Sequence, residues 1–251
     1  MDGTIKQIED MSLNAWPSHK MELYDGWIIR FSYFYTHRTN SVEQFGESVL
    51  PWRIKIPYCE EVYRRLQTPS VFKISPLVSQ DFDYMLENRG YVIEHATDVM
   101  ALSLEDADLS APFPAVTFYD HIPEEWIFSL FDLKNTSDPI HRKVVPSMYN
   151  AIMKETVCAC VRDENGVITG TGLGILDRDY IGIYAIHVRE DLQRKGLGRQ
   201  ICTGLLQKGL ERGAKNAYLQ VVKNNEKARR LYESLGFQEI YSYWFRVKHV
   251  F

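Results

Sequence analysis

The sequence predicts an α/β layer fold built on a mixed sheet, and three observations carry that prediction. Strand, glycine turn, helix, strand, helix and strand follow one another without interruption from Tyr180 to Phe245. A short polar link bearing two prolines, Asp108-Leu109-Ser110-Ala111-Pro112-Phe113-Pro114, punctuates the chain. On both sides of it, apolar runs of strand length alternate with amphipathic runs of helix length, the pattern of strands covered by helices.

Taken in order, the first half predicts strands over 21–31 and 36–44, a helix over 51–66, a strand over 70–74, a helix over 79–88 and a strand over 92–104. After the link come a strand over 116–119, helices over 123–132 and 141–152, and strands over 157–162 and 167–176. The last two are joined by Asp163-Glu164-Asn165-Gly166, a hairpin turn by composition. A strand over 181–188, a helix over 197–210 and a helix over 225–235 follow, with the closing strand rich in aromatics (Tyr241, Tyr243, Trp244, Phe245). Gly90-Tyr91 and Gly236-Phe237 lie 146 residues apart. The same offset pairs Val42 with Val188 and aligns the helix openings without a gap. It sets Leu50 against Gly196, Trp52 against Gly198 and Leu86 against Tyr232. The first half therefore reads as a copy of the second with its glycines replaced by bulky residues; two unrelated α/β pieces are the alternative.

The 251 residues carry 29 basic and 33 acidic side chains, a formal net charge of -4, which argues against a nucleic-acid polyanion as partner. No apolar run approaches the roughly 20 residues that span a membrane. The N-terminus lacks a signal-peptide pattern, and the four cysteines (59, 158, 160, 202) form neither C-x-x-C nor a zinc spacing. A reduced, cytoplasmic protein without a structural metal is expected. Cys158 and Cys160 alternate along one strand and belong on one buried face.

Against this acidic background stands Gln193-Arg194-Lys195-Gly196-Leu197-Gly198-Arg199, placed between a strand and an amphipathic helix. Glycines opening a helix let backbone N–H groups approach an anion, and the helix N-terminus adds partial positive charge. Arg194, Lys195 and Arg199 oppose that dipole, a cost that makes sense if a phosphate is normally bound; a solvated basic turn is the plain alternative. In the last helix Ala228, Leu231, Tyr232 and Leu235 form one apolar face, with Asn225 as a cap and Gly236 as the terminator. Gly170-Thr171-Gly172-Leu173-Gly174 runs into a strand rather than a helix, so it predicts close packing and not a phosphate loop.

Together, Gln193-x-x-Gly196-x-Gly198 and Asn225-x-x-Ala228-x-x-Leu231-Tyr232-x-x-Leu235-Gly236-Phe237 resemble the GNAT superfamily of acyl-CoA-dependent N-acyltransferases over about residues 115–251. The resemblance implies a mixed, mostly antiparallel sheet flanked by helices, in two tandem halves: a degenerate one at 1–110 and a catalytic one at 115–251. It implies acetyl-CoA as co-substrate and transfer to a primary amine of a small molecule or peptide; direct attack is expected rather than a covalent acyl-enzyme, since no cysteine sits where a base clearly activates it, with Cys202 left open. A non-catalytic acyl-CoA-binding regulatory module is the alternative.

By the same resemblance, Ile186, His187 and Val188 meet the pantetheine arm. The backbone of Arg194, Lys195, Gly196, Leu197, Gly198 and Arg199, with Gln193, holds the pyrophosphate. Asn225 and Ala228 line the arm or the amine, and Tyr232 protonates the departing thiolate. The family's carboxylate base has no counterpart, since Gly182 and Gln220 occupy its places. Candidate bases are His187, Tyr184, Glu226 or a water chain, with Tyr184 and His187 expected on opposite faces of their strand. Trp16-Pro17, Asp25-Gly26-Trp27 and Asn40 are candidates to shape the cleft from the first half.

Overall fold

The computed structural model describes residues 2–249. Its elements run α1 (Asp2–Ala15), β1 (Lys20–Tyr24), β2 (Trp27–Phe31), β3 (Val42–Gln44), α2 (Trp52–Arg65), β4 (Ser70–Ile74), α3 (Gln80–Asn88) and β5 (Val92–Ser103) in the first half. The second half contributes β6 (Val116–Tyr119), α4 (Glu124–Leu133), α5 (Pro139–Asn150), β7 (Glu155–Arg162), β8 (Ile168–Asp177) and β9 (Tyr180–Val188). It closes with α6 (Leu197–Glu211), β10 (Asn216–Val222), α7 (Glu226–Glu233) and β11 (Gln238–Lys248). The mixed, helix-flanked sheet is as expected. From α2 onward the 146-residue offset carries α2, β4, α3 and β5 onto α6, β10, α7 and β11 within a residue or two at nearly every boundary.

Three expectations are corrected. Residues 21–31 are two strands, because Asp25 (φ 44°) and Gly26 (φ 75°) turn the chain in left-handed conformations. Residues 36–44 are a single turn of 3-10 helix (His37–Thr39) followed by the short β3. Helix α1 was not foreseen, although Ile5, Ile8, Met11 and Ala15 recur at helical spacing and are buried.

All strands form one sheet, ordered β1-β2-β3-β4-β11-β5-β10-β9-β8-β7-β6. Only β3–β4 and β9–β10 pair in parallel. The two halves exchange their last strands: β11 pairs with β4 and β5, while β5 pairs with β10 and β11. Helices α1, α4 and α5 cover one side of the second-half strands, through Ile8, Trp126, Phe131 and Tyr149. Helices α6 and α7 cover the other, through Ile201, Leu205, Tyr232 and Leu235. The glycines of β8 are needed for that contact, since a Cβ at Gly172 would lie 2.4 Å from Ile201 Cγ2. Tyr241, Tyr243 and Phe245 are buried where the halves meet. No helix among the described residues is long and apolar enough to cross a membrane.

Candidate active site

The sheet opens at one place. Strand β10 pairs with β9 from Asn216↔Tyr180 to Leu219↔Ile183, and beyond that register the two diverge, although each continues for several residues. The divergence begins at a β-bulge. Thr171 faces His187 and Leu173 faces Tyr184, so β9 carries one extra residue there, and Ala185 takes φ 51°. The bulge inverts the alternation: Ile181 and Ile183 pack toward α6, and beyond it so do Ile186 and Val188. Tyr184 and His187 therefore share the opposite face, against the expectation that they would point apart. Alanine at the bulge gives no sequence signal of the kind a glycine would.

Next to the opening, the chain turns into α6 through Arg194 (φ 62°) and Gly196 (φ 81°), a geometry that turns successive N–H groups inward. The backbone N–H groups of Arg194, Lys195, Gly196, Leu197, Gly198 and Arg199 donate to no acceptor among the described residues. Gln200 makes the first helical bond, to the carbonyl of Gly196 at 3.0 Å. Gln193 is fixed by donating from Nε2 to the Val188 carbonyl at 3.2 Å. Among the described residues Arg194 and Lys195 form no salt bridge, whereas Arg189 beside them pairs with Asp163 and Asp191. Arg199 is spent elsewhere, with Nη2 on the Ser234 carbonyl at 2.7 Å, so two cations rather than three remain for an anion. At Gly198 an added Cβ would stand 3.3 Å from Leu231 Cδ2, a tight contact that Leu231 must shift to relieve.

The equivalent turn of the first half is filled by the protein itself. The Asp25 carboxylate accepts from the N–H groups of Val49 (3.0 Å) and Leu50 (2.9 Å) and pairs with Lys55 at 3.2 Å. The Val49 hydrogen bond, the largest cause, and the Leu50 and Lys55 contacts hold its pKa below the ordinary carboxylate range. An internal anion thus stands where the second half leaves its donors open. Beside β3 and β4 a cavity of about 270 Å³ remains, and its wall holds buried charges, with Lys73 Nζ 2.7 Å from Glu9 and 3.7 Å from Glu43. Trp52, the counterpart of Gly198, packs on Phe82. Asp25-Gly26-Trp27 accordingly serves the first half and does not reach the second-half cleft.

A cavity of about 210 Å³ occupies the opening between β9 and β10, lined by Tyr184, Ala185, Ile186, His187, Asn225, Ala228 and Tyr232 among others. Asn225 caps α7, its Oδ1 accepting from Ala228 N–H at 3.2 Å. The Tyr232 hydroxyl makes no hydrogen bond among the described residues, and burial, aided by nearby Cys202, raises its pKa. Tyr184 is engaged with the Tyr218 hydroxyl at 2.5 Å, and its pKa too is raised by burial. The Cys202 thiol is buried and pushed up to about 12, which removes it as a nucleophile. Glu226 stands exposed in a pair with Arg230 at 3.1 Å and does not line the cavity.

Burial, with Lys134 nearby, pushes His187 down to about 4. The imidazole is neutral at pH 7 but a weak acceptor for an ammonium proton. The unfolded chain protonates this histidine near pH 6.5 and the folded one only near pH 4. Native stability must therefore fall as pH drops through that window, where the unfolded state binds more protons. His187→Gln is expected to flatten this fall between about pH 6.5 and 4 in denaturant midpoints. An unchanged slope would show that the ring is solvated.

The side chain that the sequence did not single out is Arg38. It lies in the 3-10 turn of the first half, which Asn40 secures by accepting from the N–H groups of Ser32 (2.6 Å) and Phe34 (3.0 Å). Its Nε donates to Gln220 Oε1 at 2.7 Å and to the Tyr243 hydroxyl at 2.9 Å, and the side chain enters the cavity wall. Trp16 reaches the same wall, as its position before Pro17 suggested. No local motif marks Arg38; only the exchange of strands between halves brings it within reach of β10.

A sheet split between two parallel strands, with free backbone donors at the head of the following helix, defines a GNAT-type N-acetyltransferase, and the comparisons agree. The chain belongs to the family described as probable histone acetyltransferase Rv0428c C-terminal, whose model matches residues 3–245. It is 25% identical over 247 residues to the uncharacterized N-acetyltransferase YobR of Bacillus subtilis (strain 168), covering 97% of this chain and 98% of that one. Its fold is shared with a GCN5-related N-acetyltransferase from Kribbella flavida, with a TM-score of 0.69 at 14% identity over 98% of this chain and 96% of the other. A tandem GNAT protein from the clavulanic acid biosynthesis pathway gives 0.65 at 12% identity, over 82% and 75%. The protein is an acetyltransferase enzyme with a GNAT fold.

Proposed function

We propose that residues 115–251 carry the active site and transfer an acetyl group from acetyl-CoA to a primary amine by direct attack. Residues 1–110, on this reading, are a copy that has lost its own site. The six unfilled N–H donors of residues 194–199 support this most directly, beside an opening whose wall holds the unpartnered Tyr232 hydroxyl.

The residues present suit the co-substrate. The open donors, Arg194 and Lys195 match a pyrophosphate, and the unpaired edges of β9 and β10 match an amide-bearing arm. Acetyl-CoA supplies an activated thioester carbonyl. Backbone N–H groups at the bulge, near Ala185 and Ile186, polarise that carbonyl; one such donor typically contributes about 2.7–4 kcal/mol. As the N–C bond forms and the C–S bond breaks, Tyr232 gives its proton to sulfur. The amine's proton leaves through water, because the cavity wall holds no carboxylate and His187 is a poor acceptor. Four buried thiols without a disulfide suit the reducing cytoplasm, where we place the protein.

Calorimetric titration with acetyl-CoA tests this reading. One binding event per chain is expected, and it should weaken at least about tenfold in Gly198→Trp, which copies the first half. Two events would mean that the Asp25-filled turn is still open to ligand, and no event would sink the assignment.

A further inference from the structure

We infer that the acceptor amine carries a carboxylate, and that Arg38 is the residue that selects it. The inference rests on the proposed function and names the substrate class of that site.

The wall of the acetyl-transfer cavity is rich in donors and lacks anions. Arg38 Nε is satisfied by Gln220 and Tyr243, but its two terminal nitrogens form no hydrogen bond or salt bridge among the described residues. Gln220 is held with Oε1 toward Arg38 Nε and the Tyr243 hydroxyl (2.9 Å), which leaves its Nε2 buried without an acceptor. Trp16 Nε1 is a second buried donor without a partner in the same wall. Buried donors left unsatisfied are costly, and both of these belong to residues of the wall that Arg38 shares, where a small rearrangement lets an acceptor from outside the chain satisfy them. A guanidinium with free terminal N–H groups, flanked by neutral donors, matches the bidentate geometry of a carboxylate.

The same wall would repel the opposite kind of substrate. None of its residues is Asp or Glu, and Lys134 adds positive charge on the His187 side. A lysine-rich tail, whose ammonium groups need anions, finds none there. The cavity of about 210 Å³ must also admit the acyl end of the co-substrate, and the inference commits to a free amino carboxylate as the acceptor. Such an acceptor also eases the missing base. With its carboxylate held by Arg38, the amine is oriented while it sheds its proton to water, and the guanidinium's charge favours the neutral amine.

The test uses the full chain, acetyl-CoA, and three probe sets: a mixture of the common amino acids, the matching amino-acid amides, and a lysine-rich peptide. Thiol release and product mass report transfer, and acetyl-CoA binding is titrated in parallel. Acids are expected to exceed amides at least about tenfold in kcat/KM, the size of one hydrogen bond to a charged group. Arg38→Met should collapse that ratio toward one by raising KM for the acids, and Arg38→Lys should restore part of it. Acetyl-CoA binding should be unchanged in both variants. A purely structural Arg38 would lower acids and amides together and leave their ratio intact, overturning the inference. Equal rates in wild type, transfer to amides or peptide instead, or no transfer to any acid by protein that binds acetyl-CoA would overturn it as well. Failure to bind acetyl-CoA removes the proposed function first, and this inference falls with it.

Discussion

Replacing Tyr232 with phenylalanine is expected to lower kcat by roughly 10²- to 10⁴-fold, the range typical of a positioned general acid, and to leave acetyl-CoA binding within about twofold. The ring is buried on α7, edge-on to Phe237 at 6.1 Å, and its packing does not depend on the hydroxyl. The hydroxyl bonds to nothing among the described residues, so phenylalanine deletes no structural contact. What it deletes is a proton donor on a residue that lines the cavity. Burial holds the phenol's pKa above the ordinary tyrosine value, so the group stays protonated across the working range. Loss of that proton therefore cannot produce a falling limb in the rate between about pH 6 and 9, and any limb there must come from the acceptor amine. Steady-state rates of wild type and variant over this range check both statements. Equal kcat at every pH would reduce Tyr232 to a packing residue, and a loss confined to KM would mean that it binds rather than protonates.

The reach of the sequence differed from one feature to another, for physical reasons. The glycine turn, Asn225 and the Tyr232 face were legible because each depends on local backbone geometry: helix caps, left-handed turns and a periodic apolar stripe leave marks within a few residues. The repeat was legible because copies of α2–β4–α3–β5 and α6–β10–α7–β11 keep their spacing. The exchange of β5 and β11 was not, since the side-chain pattern of a strand tells which face is buried and not which neighbour it pairs with. Arg38 was hidden for the same reason, being remote in sequence from everything it touches. Ala185 hid the bulge, and with it the common face of Tyr184 and His187. Helix α1 was legible in principle from Ile5, Ile8, Met11 and Ala15, but its polar composition masked the stripe. At the first-half turn, the bulky residues opposite the glycines told only that the site was altered. The structure adds that Asp25 fills it.

The exchange of strands makes a strong demand on one residue, Asp98 of β5, and Asp98→Ala is expected to destabilise the protein by about 2–4 kcal/mol. Its carboxylate is fully buried. One oxygen accepts from the Ser242 hydroxyl of β11 at 2.8 Å and lies 3.5 Å from Lys223, just beyond β10; the other meets Arg229 of α7. A strand from the first half thus ties together the helix that carries Tyr232 and both strands beside it. Removing one member of a buried ion pair typically costs about 3–5 kcal/mol. The lower figure applies here because Arg229 keeps Glu233 (2.9 Å) and Glu239 (2.8 Å), and both cations retain contact with water. For a chain of this size that corresponds to a melting temperature lower by roughly 4–16 °C. Asp98→Asn should lose less, since the amide oxygen still accepts from Ser242. Below the melting transition Asp98→Ala should also lower kcat more than it raises KM for acetyl-CoA, because α7 sets the Tyr232 hydroxyl while Gln193 ties the 194–199 turn to β9. Denaturant unfolding together with turnover at low temperature separates the two effects. A variant as stable as wild type would mean that Arg229 is held by Glu233 and Glu239 alone, and that the first half does not brace the helix that carries Tyr232.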